Sequence, residues 1–149
     1  MAQPYVFVEH SGDYRKLGEA MRTLLTLAQE SGIERSGPPF ALFIDDPGHV
    51  PVESLRARAC LPVKLPPEHL EGLRFEILPR AMVVYGRVAG AYTEVSRSYP
   101  ALFAYLRELG WQSGGPIREV YLVNPADVIG YDQLETEVQI PWGRGRPRN

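Results

Sequence analysis

Cysteine is almost missing from this chain: among 149 residues there is one, Cys60. A lone cysteine cannot form an intramolecular disulfide, which fits a reducing compartment. Histidine is nearly as scarce, and His10, His49 and His69 stand far apart, none with a second ligand at metal-binding spacing. No apolar run approaches the roughly 20 residues that a membrane-spanning helix needs. The N-terminus, Met1-Ala2-Gln3-Pro4, lacks the charged start and apolar stretch of a signal peptide. By elimination the chain reads as cytoplasmic, with no membrane partner. A Gly-x-Ser-x-Gly elbow, a Walker loop and a Gly-x-Gly-x-x-Gly fingerprint are also missing. These absences leave no sequence support for metal, cofactor, nucleotide or serine-hydrolase chemistry. A net charge of −2 gives no general attraction to nucleic acid.

What the chain has in quantity is punctuation, with 14 glycines and 14 prolines, and their order repeats. Displaced by 78 positions, Gly12 and Tyr14 fall on Gly90 and Tyr92, Leu24 on Leu102, Glu30 on Glu108 and Gly32 on Gly110. Gly37-Pro38 falls on Gly115-Pro116 and Pro47 on Pro125; after a slip of one residue, Leu55 and Pro62 meet Leu134 and Pro141. Glycines permit unusual backbone angles and prolines fix them, so a shared order of both argues for a shared backbone. Each copy begins with an extended run, Tyr5 to Glu9 or Met82 to Arg87, and then enters a helix through Gly-x-Tyr. Leu17, Ala20, Met21, Leu24, Leu25 and Ala28 recur at helical spacing in the first copy; Val95, Tyr99, Leu102, Phe103 and Leu106 do so in the second. Gly32 and Gly110 stand where C-capping glycines belong, while Pro100 kinks the second helix or sits in its first turn.

Two β-rich runs follow in each copy, Phe40 to Ile44 with Leu55 to Leu61, and Ile117 to Val123 with Leu134 to Ile140. The expectation is an α+β fold: a tandem duplication of a strand-helix-strand-strand unit, with antiparallel sheets and helices on one side. The whole chain, 1–149, reads as one domain made of repeats at about 5–63 and 75–142. A Pro/Glu-rich connection covers 64–74, after which Phe75 to Leu78 adds a further strand, and 143–149 form a solvated basic tail.

A duplication contains its own control, because positions that the fold requires should match between copies. Period-two alternation puts Glu119, Tyr121 and Val123 on one strand face. The equivalent of Tyr121 is Phe43, but the equivalent of Glu119 is Ala41, so a carboxylate there is not needed for folding. Aromatic positions differ in the same sense: Phe7 becomes Tyr85, Phe43 becomes Tyr121 and Ile33 becomes Trp111. Such groups join a large apolar face to a directional donor, which suits ligand binding. A carboxylate among aromatic rings would have a raised pKa and would serve either a cation or a proton transfer. The alternatives are a solvated ion pair for Glu119 and core packing for the aromatic residues. Arg56 and Arg58 have Glu135 and Glu137 as equivalents, and these opposite charges are expected to meet between the repeats.

The phrase Gly114-Gly-Pro-Ile-Arg-Glu-Val-Tyr121, the turn Asn124-Pro-Ala-Asp127 and the run Leu134-Glu-Thr-Glu-Val-Gln-Ile-Pro141 resemble the C-terminal half of GyrI-like domains. Leu78-Pro-Arg-Ala81 and Gly90-Ala-Tyr92 resemble that family's opening strand and helix entry, with alanine where members often have proline. Such domains also serve as effector-binding modules of AraC-type and MerR-type regulators. The resemblance implies pseudo-twofold repeats around a central cleft, a small organic ligand and a key glutamate at Glu119, with Tyr121 in the same motif. Trp111, Tyr85, Tyr92 and Phe43 complete the expected ligand-binding set. The leading expectation is a binder of hydrophobic or cationic organic compounds, for xenobiotic sequestration or sensing, without a cofactor and without a DNA-binding element of its own. The alternative implied by the resemblance is a hydrolase of strained cyclopropanoid toxins, with Glu119 as general base and Tyr121 assisting the leaving oxygen. A gyrase-like protein partner is a third class, and no surface in the sequence matches one.

Overall fold

A computed structural model describes the chain except for residue 1, residue 69 and residues 125–129, 131–132 and 145–149. His69 and most of the Asn124–Asp127 turn therefore lie outside the described residues. The chain divides into two compact units, Met1–Arg80 and Ala81–Asn149.

The first unit contains β1 (Gln3–Ser11), α1 (Leu17–Glu30), β2 (Phe40–Phe43), β3 (Arg56–Pro62) and β4 (Arg74–Leu78). Its strands form an antiparallel sheet in the order β4-β1-β3-β2. Helix α1 packs on β1 and β3. It buries Leu17, Ala20, Leu24 and Ala28, a stripe at intervals of three and four residues. Complete burial of Leu24 alone contributes about 1.5–3 kcal/mol. The strand over Phe75 to Leu78 thus pairs with β1 as an edge strand of this unit, one residue longer than expected, and the division of the chain falls after it. A backbone that pairs with β1 satisfies its hydrogen bonds there, which the local sequence could not show.

The second unit contains β5 (Val83–Ala89), a 3-10 segment (Tyr92–Ser98), α2 (Tyr99–Glu108), β6 (Trp111–Ser113), β7 (Ile117–Tyr121) and β8 (Glu135–Arg144). Antiparallel pairing runs β7-β8-β5, and β6 pairs with the far end of β8. Pro100 sits in the first turn of α2, where its missing N–H is tolerated. The α2 face buries Val84, Leu106 and Ile140, with Leu102, Phe103, Trp111, Ile117 and Trp142 packed around them. Gly143 and Arg144, assigned above to the tail, continue β8 opposite Gln112 and Trp111. The stacked rings of Trp111 and Trp142, 3.6 Å apart and nearly parallel, accompany that pairing.

Individual backbone bonds recur between the units at the displacements seen in the sequence. Phe7 lies opposite Cys60 and Tyr85 opposite Gln139; Ala41 lies opposite Ala59 and Glu119 opposite Val138. Gly12 N–H donates to the Leu55 carbonyl at 2.8 Å, and Gly90 N–H to the Leu134 carbonyl at 2.9 Å. Gly32 and Gly110 end their helices with φ of 65° and 71°, a left-handed conformation that glycine adopts without steric cost.

Within each unit the inverted charges have partners of their own. Arg56 binds Asp45 at 2.9 Å, and Arg58 binds Glu76 at 2.6 Å, donates to the Tyr5 hydroxyl at 2.9 Å and lies 4.2 Å over the Phe7 ring. Glu137 and Glu135 both face Arg87, at 3.1 Å and 3.7 Å. The partner of Arg56 is in the bend after β2, and those of Arg58, Glu135 and Glu137 are on other strands of the same unit. Cys60 is fully buried, and burial pushes its thiol well above the usual range, so it packs as a small apolar residue.

Candidate functional site

Strand β7 carries the carboxylate into the second unit. In the β7–β8 register Glu119 faces Val138 and Tyr121 faces Thr136, so all four side chains share the sheet face on which α2 packs. Glu119 is only 8% exposed. Its two carboxylate oxygens are held separately: the Tyr99 hydroxyl donates to Oε2, and the Tyr121 hydroxyl donates to Oε1 at 3.3 Å. Tyr99 opens α2, and the register of that helix turns its ring toward β7. The ring of Tyr92, at the start of the 3-10 segment, meets the ring of Tyr121 edge to face with centroids 5.1 Å apart.

Desolvation dominates the electrostatics. Burial raises the Glu119 pKa above the ordinary glutamate value, and the hydrogen bonds from Tyr99 and Tyr121 offset part of that rise. Burial also raises the Tyr92 phenol. Among the described residues no Lys, Arg or His lies within salt-bridge distance of Glu119. The site is a buried acid held by neutral donors, beside an aromatic ring and without a cation. Such an acid can accept a cation or exchange a proton.

Of the expected set, Glu119, Tyr121 and Tyr92 come together. Tyr85 does not join them, because it lies opposite Gln139, which also faces Arg118, and so projects from the other side of the sheet at 64% exposure. Trp111 is engaged with Trp142 and the Val84–Leu106–Ile140 core. Phe43 packs edge to face on Tyr14 within the first unit, with centroids 4.9 Å apart. Tyr99 was read above only as a helical core position. Its equivalent 78 residues earlier is Met21, an apolar side chain, and the comparison that singled out Glu119 would have found it. Among the described residues no group of three potential metal ligands forms, and no helix is long and apolar enough to cross a membrane.

Residues 1–142 match the profile of the GyrI-like small molecule binding domain. No curated protein matches the chain. Among solved structures, the C-terminal domain of EcmrR is similar, with a TM-score of 0.85 and 15% identity over 97% of this chain and 93% of that one. The EcmrR–DNA complex gives the same score, and the present chain spans 55% of that protein's length. SAV2435 bound to tetraphenylphosphonium is similar with a TM-score of 0.60 and 10% identity, covering 95% of this chain and 89% of that one. A hydrolase from Listeria innocua has a TM-score of 0.61 and 11% identity, covering 95% and 88%. At these identities the likeness is one of fold.

Proposed function

Because this chain belongs to the GyrI-like small-molecule-binding domain family, we propose that its second unit receives an apolar organic cation whose charge Glu119 balances. The observation that carries this reading is the buried carboxylate itself, held by two phenols and lacking any cation among the described residues. An isolated charge in an apolar surrounding is costly, and an arriving cation removes that cost while the Tyr92 and Tyr121 rings face it. Protein of this kind would sequester or sense foreign compounds. The first unit repeats the backbone and not the site, which supports a duplicated unit whose second copy acquired the polar groups.

Tetraphenylphosphonium, the cation bound by a similar structure, is the first probe. Calorimetric titration should give binding to the wild type and a loss of about 1.5–3 kcal/mol in Glu119→Gln, the range for an interaction with a charged group. Equal affinity in both proteins would defeat the reading. The same variant tests hydrolysis, since a raised glutamate pKa also suits a general base. Retained binding with turnover of a cyclopropanoid substrate reduced ~10²–10⁴-fold would assign catalysis instead.

A further inference from the structure

A buried polar group on the Glu119 face, Thr136, has no hydrogen-bond partner among the described residues. Thr136 is fully buried, and its Oγ1 makes no hydrogen bond among the described residues. Leaving a buried hydroxyl unsatisfied is costly, and native interiors rarely do so without a reason. Folding supplies none here, because the equivalent position, 79 residues earlier, is Ala57, which is buried in the same register. Thr136 stands directly opposite Tyr121, and the Leu122 N–H bond to the Glu135 carbonyl makes Tyr121–Thr136 a non-hydrogen-bonded pair. In such pairs facing side chains are at their closest, with the diagonal residue, here Glu119, roughly 7–8 Å away.

We propose that Thr136 is a ligand-contacting residue that makes the site selective for cations carrying N–H groups over quaternary cations of the same shape. This rests on the cation reading of Glu119. The hydroxyl protons of Tyr99 and Tyr121 are committed to the Glu119 carboxylate. A ligand group lying between that carboxylate and Thr136 feels a negative charge, so it approaches with a donor and not with an acceptor. Oγ1 then accepts from an ammonium N–H, and the buried hydroxyl gains the partner that folding denied it. A fully methylated nitrogen has no hydrogen to offer and leaves Oγ1 unsatisfied.

The test uses the full chain and a matched pair, N,N-dimethylbenzylammonium and N,N,N-trimethylbenzylammonium, titrated calorimetrically near neutral pH. The wild type should bind the N–H cation about tenfold more tightly, as one added hydrogen bond would give. Thr136→Val should abolish that preference and leave the quaternary affinity unchanged. Thr136→Ala, which copies Ala57, serves the same purpose if the valine variant folds poorly. Equal wild-type affinities, with Glu119→Gln weakening both, would overturn the selectivity and leave the cation reading standing. A preference that survives in both Thr136 variants would also overturn it. Failure of the wild type to bind either cation would end both readings together.

Discussion

Met21, Ala41, Phe43 and Ala57 of the first unit hold the positions that Tyr99, Glu119, Tyr121 and Thr136 hold in the second. The strand register around Ala41, Phe43 and Ala57 is that around Glu119, Tyr121 and Thr136, and even the ring contact is kept, as Tyr14 on Phe43 and as Tyr92 on Tyr121. What differs is polarity, always in one direction. The Tyr14 hydroxyl is tied to the backbone, 2.7 Å from the Asp45 carbonyl and 2.8 Å from that of Arg56. The Tyr92 hydroxyl makes no hydrogen bond among the described residues, and its ring is 40% exposed. The first unit thus has apolar side chains at these four positions, while the second has polar groups there; Arg58 Nε is the buried polar atom without a partner in the first unit among the described residues. Four polar groups gathered around one carboxylate, where the first unit has none, are what supports the proposed site.

The severest way to break the comparison is to move the carboxylate alone. Ala41 is fully buried among apolar neighbours, so Ala41→Glu should cost roughly 3–5 kcal/mol, as an uncompensated buried charge does, read as a fall in the urea midpoint. Adding Met21→Tyr and Phe43→Tyr should recover part of that loss by supplying the two donors. No recovery would mean that the donors are not what makes Glu119 tolerable.

A smaller effect is expected from Tyr99→Phe, which makes one position of the second unit resemble the first. Removing a hydrogen bond to a charged group should cost about 1.5–3 kcal/mol while Glu119 is ionised. The Tyr99 hydrogen bond lowers the Glu119 pKa, so its removal should raise that pKa further, which NMR titration of the carboxyl carbon would detect. An unchanged titration would remove Tyr99 from the site.

The mildest test concerns pH. Glu119 keeps its proton to higher pH in the folded protein than in the unfolded chain. Between those two pKa values the folded state binds more protons, so the contribution of this group to stability declines as pH rises through that window and stays low above it. Glu119→Gln has no such decline. It should match the wild type below the ordinary glutamate range, near pH 4, and exceed it in urea midpoint at about pH 7–8. Parallel midpoints across that range would show that Glu119 is solvated.

The alternation of elements was legible in the chain, because turn glycines and prolines are local constraints and survive in order: Gly12, Gly32, Gly90 and Gly110 all occupy positive φ. Period-two alternation also placed Glu119 and Tyr121 on one strand face, as their register with β8 has them, and the contrast with Ala41 and Phe43 marked them out. Other features depended on partners distant in the chain. Tyr99 looked like core because helical spacing records which face is turned inward and not what that face meets. Aromatic composition does not reveal which side of a sheet a ring leaves from, and pairing with β8 puts Tyr85 on the side away from Glu119. Arg56 and Arg58 found Asp45 and Glu76, and Gly143 and Arg144 joined β8, because strand pairing assigns each backbone and charge to its nearest complement. Tertiary structure alone decided that Thr136 would be buried without a partner, since an unsatisfied hydroxyl is a property of everything around it.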